Sequence, residues 1–231
     1  MKTLVIIPAY NEAGSIAAVL CDLQKNHPEY DYLVINDGSI DDTEKVLEQY
    51  HAHYVTLPCN LGIGGGVQAG YLYAYKNRYD CAVQMDGDGQ HDSAYLDAIV
   101  QPILNGEADF VIGSRYIQQR GFQSSALRRL GIQWLSAVIY MVCGTKIKDV
   151  TSGFRAVNRN MITLFANHYA DDYPEPEAIV TAVRHDAKVI EVPVIMKERI
   201  SGTSSISSVK SIYYMLKVTL AILFNSLLIK R

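Results

Sequence analysis

Cys81-Ala82-Val83-Gln84-Met85, followed at once by Asp86-Gly87-Asp88-Gly89-Gln90-His91-Asp92, is an apolar run of strand length that ends in an acidic, glycine-rich turn. Asp86 and Asp88 flank a residue with no side chain, so both carboxylates can converge on one hard cation where a buried strand meets solvent. A divalent metal held there could in turn hold a diphosphate. The same residues also satisfy a second reading, an Asx-rich turn with no ligand, because Asp and Gly are common turn formers. The surrounding chain separates the two.

Upstream and downstream of this turn, short apolar runs alternate with longer amphipathic stretches. The runs are Leu4 to Ile7, Tyr32 to Asn36, His53 to Leu57, Cys81 to Met85 and Phe110 to Gly113. The amphipathic stretches are Gly14 to Lys25, Asp41 to Tyr50, Ile63 to Lys76 and Tyr95 to Asn105. That alternation predicts β-α-β units wound into a mainly parallel, Rossmann-like sheet flanked by helices, an α/β protein. Ser15, Asp41 and Asp92 are suited to cap the helix starts. Ligands of such sheets bind beyond the carboxyl ends of the strands. The polar clusters fall at those ends: Pro8 to Glu12, Asn36 to Asp42, Asn60 to Gly66, and Asp86 to Asp92.

At 231 residues the chain accommodates one large domain with an appendage. Residues 1–205 are expected to form the domain, and residues 206–231 a C-terminal amphipathic or apolar helix. A net charge of -3 offers no basic field of the kind nucleic acid requires, which excludes that partner. The four cysteines have no C-x-x-C pair and read as reduced core residues of a cytosolic protein. The N-terminal apolar stretch is too short for a signal peptide and reads as the first strand.

Two further clusters admit paired readings. Asn36-Asp37-Gly38-Ser39 offers a carboxylate to a nucleobase or ribose, or else forms a helix-capping turn. Asn60-Leu61-Gly62-Ile63-Gly64-Gly65-Gly66 lets backbone approach a ligand at a helix N-terminus, or lets a helix pack closely on the sheet; lacking Gly-Lys-Ser/Thr, it is no P-loop.

Taken in order, Pro8 to Glu12, Asn36 to Ser39 with Asp42-Thr43, Asn60 to Gly66 and Asp86-Gly87-Asp88 resemble glycosyltransferase family 2, whose catalytic domain has the GT-A fold. Gly113-Ser114-Arg115, Thr151-Ser152-Gly153-Phe154-Arg155 and Arg199-x-x-Gly202-x-Ser204 resemble the polyprenyl-phosphate branch that includes dolichyl-phosphate mannose synthase. The resemblance implies that Pro8, Tyr10, Glu12 and Asp37 contact the nucleoside of a nucleotide sugar. It implies that Asp86, Asp88 and Gln90 surround Mg²⁺ or Mn²⁺, and that Glu177 faces the sugar. It further implies that Ser114 and Arg115 meet a polyprenyl phosphate acceptor, while Arg199 and Ser204 close over the donor diphosphate. Asp88, Arg115 and Arg199 are thereby the expected catalytic residues. The chain departs from the pattern at Ser205, where relatives often carry Lys, and at Ile63, where some carry a basic residue. It also lacks the spanning segments that follow the catalytic domain in several relatives.

The chemistry agrees with this set. Sugar transfer from a nucleotide diphosphate builds negative charge on the leaving group and an oxocarbenium-like sugar, which a metal and an arginine can meet. A lipid monophosphate acceptor is already ionised near neutral pH, with a second pKa near 6. No strong base is then needed, and His91 reads as ordering the metal loop. Arg128 and Arg129 suit acceptor-phosphate recognition through paired guanidinium donors, or else form a solvated or membrane-facing pair. Alternative functions are transfer to a saccharide or protein, and a noncatalytic subunit that binds a membrane partner. Gln133-Trp134 does not reproduce the Q-x-x-R-W pattern of processive synthases.

Ser211 to Ile229 is mostly apolar and as a helix would run about 28 Å, close to a bilayer core. Lys210, Tyr214, Lys217, Ala221 and Asn225 give it a weakly polar stripe. The expectation is a helix lying on the cytoplasmic face of the membrane, or docked on a small membrane protein or a second copy. Leu130 to Val142, with Trp134 and Tyr140 behind Arg128 and Arg129, reads as a second interfacial helix or as a buried core or oligomer helix.

Overall fold

The computed structural model describes residues 1–118, 120–121, 125–172, 174–199 and 215–224. Seven strands form one sheet: β1 (Thr3–Ala9), β2 (Asp31–Asn36), β3 (Tyr54–Thr56), β4 (Cys81–Gln84), β5 (Phe110–Ser114), β6 (Arg155–Asn158) and β7 (Val189–Pro193). Their order is β3-β2-β1-β4-β6-β5-β7. All run parallel except β6, which pairs antiparallel with both β4 and β5. The expected mainly parallel α/β sheet is therefore present.

Around the sheet lie α1 (Ile16–Asn26), α2 (Thr43–Gln49), α3 (Gly62–Lys76), α4 (Leu96–Leu104), α5 (Ala126–Cys143), α6 (Arg159–Asn167) and α7 (Pro174–Arg184). Two apolar layers sandwich the sheet because both faces of the central strands are apolar. One layer places Leu4, Ile6 and Ala82 against α3, α5, α6 and α7; the other places Val5, Ile7 and Val83 against α1 and α4. Gly70 lets α3 lie directly on β1: a Cβ there would sit 2.2 Å from the Ile6 side chain. Gly64 likewise admits the carbonyls of Ala170 and Asp171, its amide donating to Asp171 O at 3.2 Å. At these two positions the glycines serve close packing.

Three local features differ from expectation. Ser15 precedes α1 but makes no capping bond; its hydroxyl donates to Glu12 Oε2 at 2.5 Å instead. Cys21 and Cys59 are exposed, because Cys21 lies outside the buried Val19-Leu20-Leu23 stripe of α1 and Cys59 follows β3 in a turn. Finally, β6 and α6 occupy a stretch whose four-residue strand is too short to register as an alternating pattern.

Helix α5 is apolar on two sides. Ile132, Leu135, Val138 and Ile139 enter the core, while Leu130, Trp134, Tyr140 and Met141 stand exposed on the other side. Residues 215–224 form a helix whose Val218 and Ile222 join the same core, and Trp134 Nε1 donates to Thr219 Oγ1 at 3.2 Å. Leu216, Leu220, Leu223 and Phe224 are exposed on it, and Lys217 pairs with Asp172. Lys210, Tyr214 and Asn225 lie outside the described residues, as does the 205/206 boundary. Among the described residues, no helix is long and apolar enough to cross a membrane.

Candidate active site

The sheet order runs outward from β1 in both directions, so the connections leaving β1, β2 and β4 meet at the carboxyl edge, where open α/β sheets form their ligand crevice. Backbone bonds fix their spacing: Asp37 N donates to Ala9 O at 2.9 Å, and Gly87 N to Pro8 O at 3.3 Å. A Cβ on Gly87 would lie 3.2 Å from that Pro8 carbonyl, so this close approach suits a residue without one.

The β1 and β2 loops are laced together. Asn11, in a left-handed conformation (φ 56°), donates its backbone N–H to Ser39 Oγ at 3.0 Å, and its Oδ1 accepts from Ile40 N at 2.9 Å. Glu12 N donates to Thr43 Oγ1 at 2.8 Å. Asp37, buried, accepts from Leu61 N at 2.7 Å, which ties the glycine-rich segment to the same floor. Pro8 is buried in this floor and Tyr10 is exposed at its rim.

On the β4 loop, Asp88 is nearly sealed from solvent, whereas Asp86 is partly open. Asp88 Oδ1 accepts from Gln90 N at 2.9 Å, and Oδ2 pairs with Arg199 Nη2 at 2.8 Å. Burial, then the neighbouring Asp86 charge, push the Asp88 carboxyl above its ordinary pKa. Glu12 is raised as well, chiefly by burial, with Asp88 and Asp86 adding to the shift and Arg199 opposing it. Glu12, Asp86 and Asp88 thus share one acidic neighbourhood, with Arg199 paired to Asp88. Hard oxygen donors in electrostatic excess, with a cationic group already seated on the most buried of them, fit a divalent cation.

His91 shapes this loop. Asp86 N donates to its Nδ1 at 2.9 Å, which leaves the proton on Nε2, 3.7 Å from Asp86 Oδ2; the ring stacks on Phe154 at 5.0 Å. Gln90 lies at the loop's edge, its carbonyl accepting from Lys197 N at 2.9 Å. Lys197 also pairs with Asp92 at 3.1 Å, so the strand-like segment ending at Arg199 is stitched along the acidic loop. Ser204 lies outside the described residues.

On the other side of β4, Arg115 is clasped by Asp149. Its Nε and Nη2 donate to the two carboxylate oxygens at 2.7 Å each, and Nη2 also reaches Thr151 Oγ1 at 3.2 Å. Ser114 is wholly buried, and its Oγ has no hydrogen-bond partner among the described residues. Arg128 and Arg129 are exposed at the start of α5, apart from the buried Arg115 clasp. Arg155, fully buried, donates to three backbone carbonyls: Ser152 at 2.5 Å, Glu175 at 2.7 Å and Val150 at 3.2 Å.

One acid at the site was not singled out by pattern. Glu175 and Glu177 both open α7, and a step of two helical residues turns a side chain by about 200° at 3.6 residues per turn. Burial raises the pKa of Glu175; Arg155 opposes the rise, Asp86 adds to it and Arg128 lowers it. Glu175 therefore shares the electrostatic field of the acidic loop. Glu177 is partly buried on the same turn.

The fold is a Rossmann-like sheet with an acidic pair at the end of its central strand and Arg199 seated on one of the two carboxylates. The profile of Glycosyl transferase family 2 matches residues 4–165, and the chain belongs to that family; it is a glycosyltransferase with the GT-A fold. Among its curated relatives, the undecaprenyl-phosphate mannosyltransferase of Micrococcus luteus is 30% identical, covering 90% of this chain and 88% of the relative. The UDP-N-acetylglucosamine–dolichyl-phosphate N-acetylglucosaminyltransferase of Methanococcus voltae is 29% identical over 82% of this chain and 83% of its own. A solved structure of glucosyl-3-phosphoglycerate synthase from Mycobacterium tuberculosis, in complex with Mn²⁺, UDP-glucose and phosphoglyceric acid, superposes with a TM-score of 0.74 at 20% identity. It covers 97% of this chain and 79% of that one.

Proposed function

We propose that this glycosyltransferase moves a single hexose or N-acetylhexosamine from a nucleotide sugar, preferentially a UDP-sugar, to undecaprenyl or a related polyprenyl phosphate, with inversion, for cell-envelope glycans. The observation that carries the reading is the Asp86/Asp88 pair at the end of β4 with Arg199 seated on Asp88. The acceptor class rests on the names of the relatives, two of which act on polyprenyl phosphates.

In this reading Asp86 and Asp88 hold Mg²⁺ or Mn²⁺, with Gln90 beside them. The metal, when bound, neutralises charge growing on the leaving diphosphate. Arg199 exchanges Asp88 for a diphosphate oxygen, and Ser204 assists it. Asp37, Pro8, Tyr10 and Glu12 form the nucleoside floor. Glu177, or Glu175 on the turn's other side, faces the sugar. Arg115, held in the Asp149 clasp, meets the acceptor phosphate together with Ser114. Arg128 and Arg129, exposed before the apolar outer stripe of α5, suit a phosphate head group at a membrane surface. The ionised acceptor attacks the anomeric carbon from the face opposite the diphosphate and needs no protein base.

The exposed Leu130, Trp134, Tyr140 and Met141, continued by Leu216, Leu220 and Phe224, support action at the cytoplasmic membrane surface. Purified protein incubated with undecaprenyl phosphate, Mn²⁺ and a panel of labelled UDP- and GDP-sugars tests the function. Label from one donor entering the organic-extractable lipid is expected; release of free sugar alone from every donor defeats the acceptor assignment.

A further inference from the structure

Gln84 is a wholly buried amide in a layer otherwise made of Ile6, Ala82, Tyr71 and Phe165. It stands two residues before Asp86 at the last position of β4, and on the neighbouring strand it faces Arg155. Its Nε2 approaches Asp86 Oδ1 at 3.5 Å, and its Oε1 faces the hydroxyl of Tyr169 at 3.5 Å. The carboxylate decides which end of the amide faces it, since an oxygen turned toward Asp86 would be repelled. Tyr169 is itself fixed, its ring packed edge-on against Tyr71 at 5.4 Å and Phe165 at 5.2 Å. Gly153 closes the remaining side: a Cβ there would lie 3.0 Å from Asp86 Oδ2, 3.2 Å from Oδ1 and 3.1 Å from Gln84 Nε2.

We propose that Gln84, aimed by Tyr169, is the positioning residue that presents Asp86 to the divalent cation, and that Gly153 keeps the carboxylate and amide in contact by carrying no side chain. The inference rests on the metal reading of Asp86 and Asp88. Groups behind a ligating carboxylate orient it, and their loss commonly weakens metal binding 10- to 100-fold. An apolar side chain of the same length would fill the cavity without aiming anything.

The test is Mn²⁺ affinity of the full chain in the presence of UDP, followed by electron paramagnetic resonance, with metal-free melting temperature as the check on folding. Gln84→Met should weaken Mn²⁺ binding by about tenfold while still melting cooperatively. Tyr169→Phe should weaken it by a smaller factor, and the double variant should match Gln84→Met alone, because Tyr169 acts only through the amide. Unchanged affinity in a folded Gln84→Met overturns the proposal, as does a double variant whose loss is the product of the two single losses. Asp86→Asn separates this from the parent reading. Mn²⁺ binding retained in Asp86→Asn removes Asp86 as a ligand and the proposal with it; binding lost in Asp86→Asn but intact in Gln84→Met removes only the role of Gln84.

Discussion

Asp88 is the residue on which the most depends, because it is sealed from solvent and shares its carboxylate with Arg199. Asp88→Asn should slow sugar transfer by about 10²-fold or more, as loss of one preorganised charge contact to a developing anion typically does; turnover with saturating donor and acceptor measures it. Glu12 supplies a prediction of opposite sign. Its folded pKa is raised by burial and by two neighbouring carboxylates, so its ionised form destabilises the metal-free fold. That penalty is complete above the folded pKa and is relieved as pH falls toward the unfolded carboxylate value. Glu12→Gln should therefore raise the melting temperature of metal-free protein at pH 7, and the gain should vanish in acid. Arg115→Ala should cost about 3–5 kcal/mol in denaturant unfolding, since it leaves Asp149 charged and buried without its guanidinium. At this scale the sequence pattern singles out Asp86 and Asp88, since a short D-x-D turn needs no tertiary knowledge to place; Arg199 was expected only through the family resemblance, and the fold pairs it with Asp88. The sequence names Glu177 through the resemblance and passes over Glu175, whose placement depends on the rotation of α7, and it cannot show that Arg115 is clasped by a residue 34 positions away.

Strand β6 shows how an element can carry the site while leaving no periodic signal. Its four residues run antiparallel between β4 and β5 and begin with Arg155, whose guanidinium ties the Val150 to Ser152 loop to the first turn of α7. Methionine would fill the same space but orphan three carbonyls, and lysine would present one ammonium where three directions are needed. Both Arg155→Met and Arg155→Lys should thus unfold at lower denaturant, the first by about 3 kcal/mol or more on the scale of buried unsatisfied groups. Helix α5 has the reverse character. Its apolar length is plain in sequence, but only the fold shows that one side is core and the other side is exposed. Trp134→Glu should leave folding intact and abolish flotation with anionic liposomes; undiminished flotation would remove α5 from the membrane-facing surface.

Across the whole molecule, the parallel β-α-β order from β1 to β5 was legible because apolar runs alternate there with amphipathic stretches of helix length, so that even the three-residue β3 is marked by its flanking helices. The insertion of β6, which places Gln84 beside Arg155, was not, because sheet order beyond consecutive strands is set by packing. A site assembled from four loops of one rigid sheet predicts linkage between ligand and stability. Mn²⁺ with UDP at about 100 times its dissociation constant should add about 2.7 kcal/mol, a rise of several degrees in melting temperature for a chain of this size. The most direct test of the central claim is transfer of labelled sugar to undecaprenyl phosphate after chelation of all divalent metal and again after Mn²⁺ is restored. Transfer abolished by chelation, restored by Mn²⁺ in the wild-type chain and absent in Asp88→Asn is the expected result. Undiminished transfer without metal, or full transfer by Asp88→Asn, would contradict it.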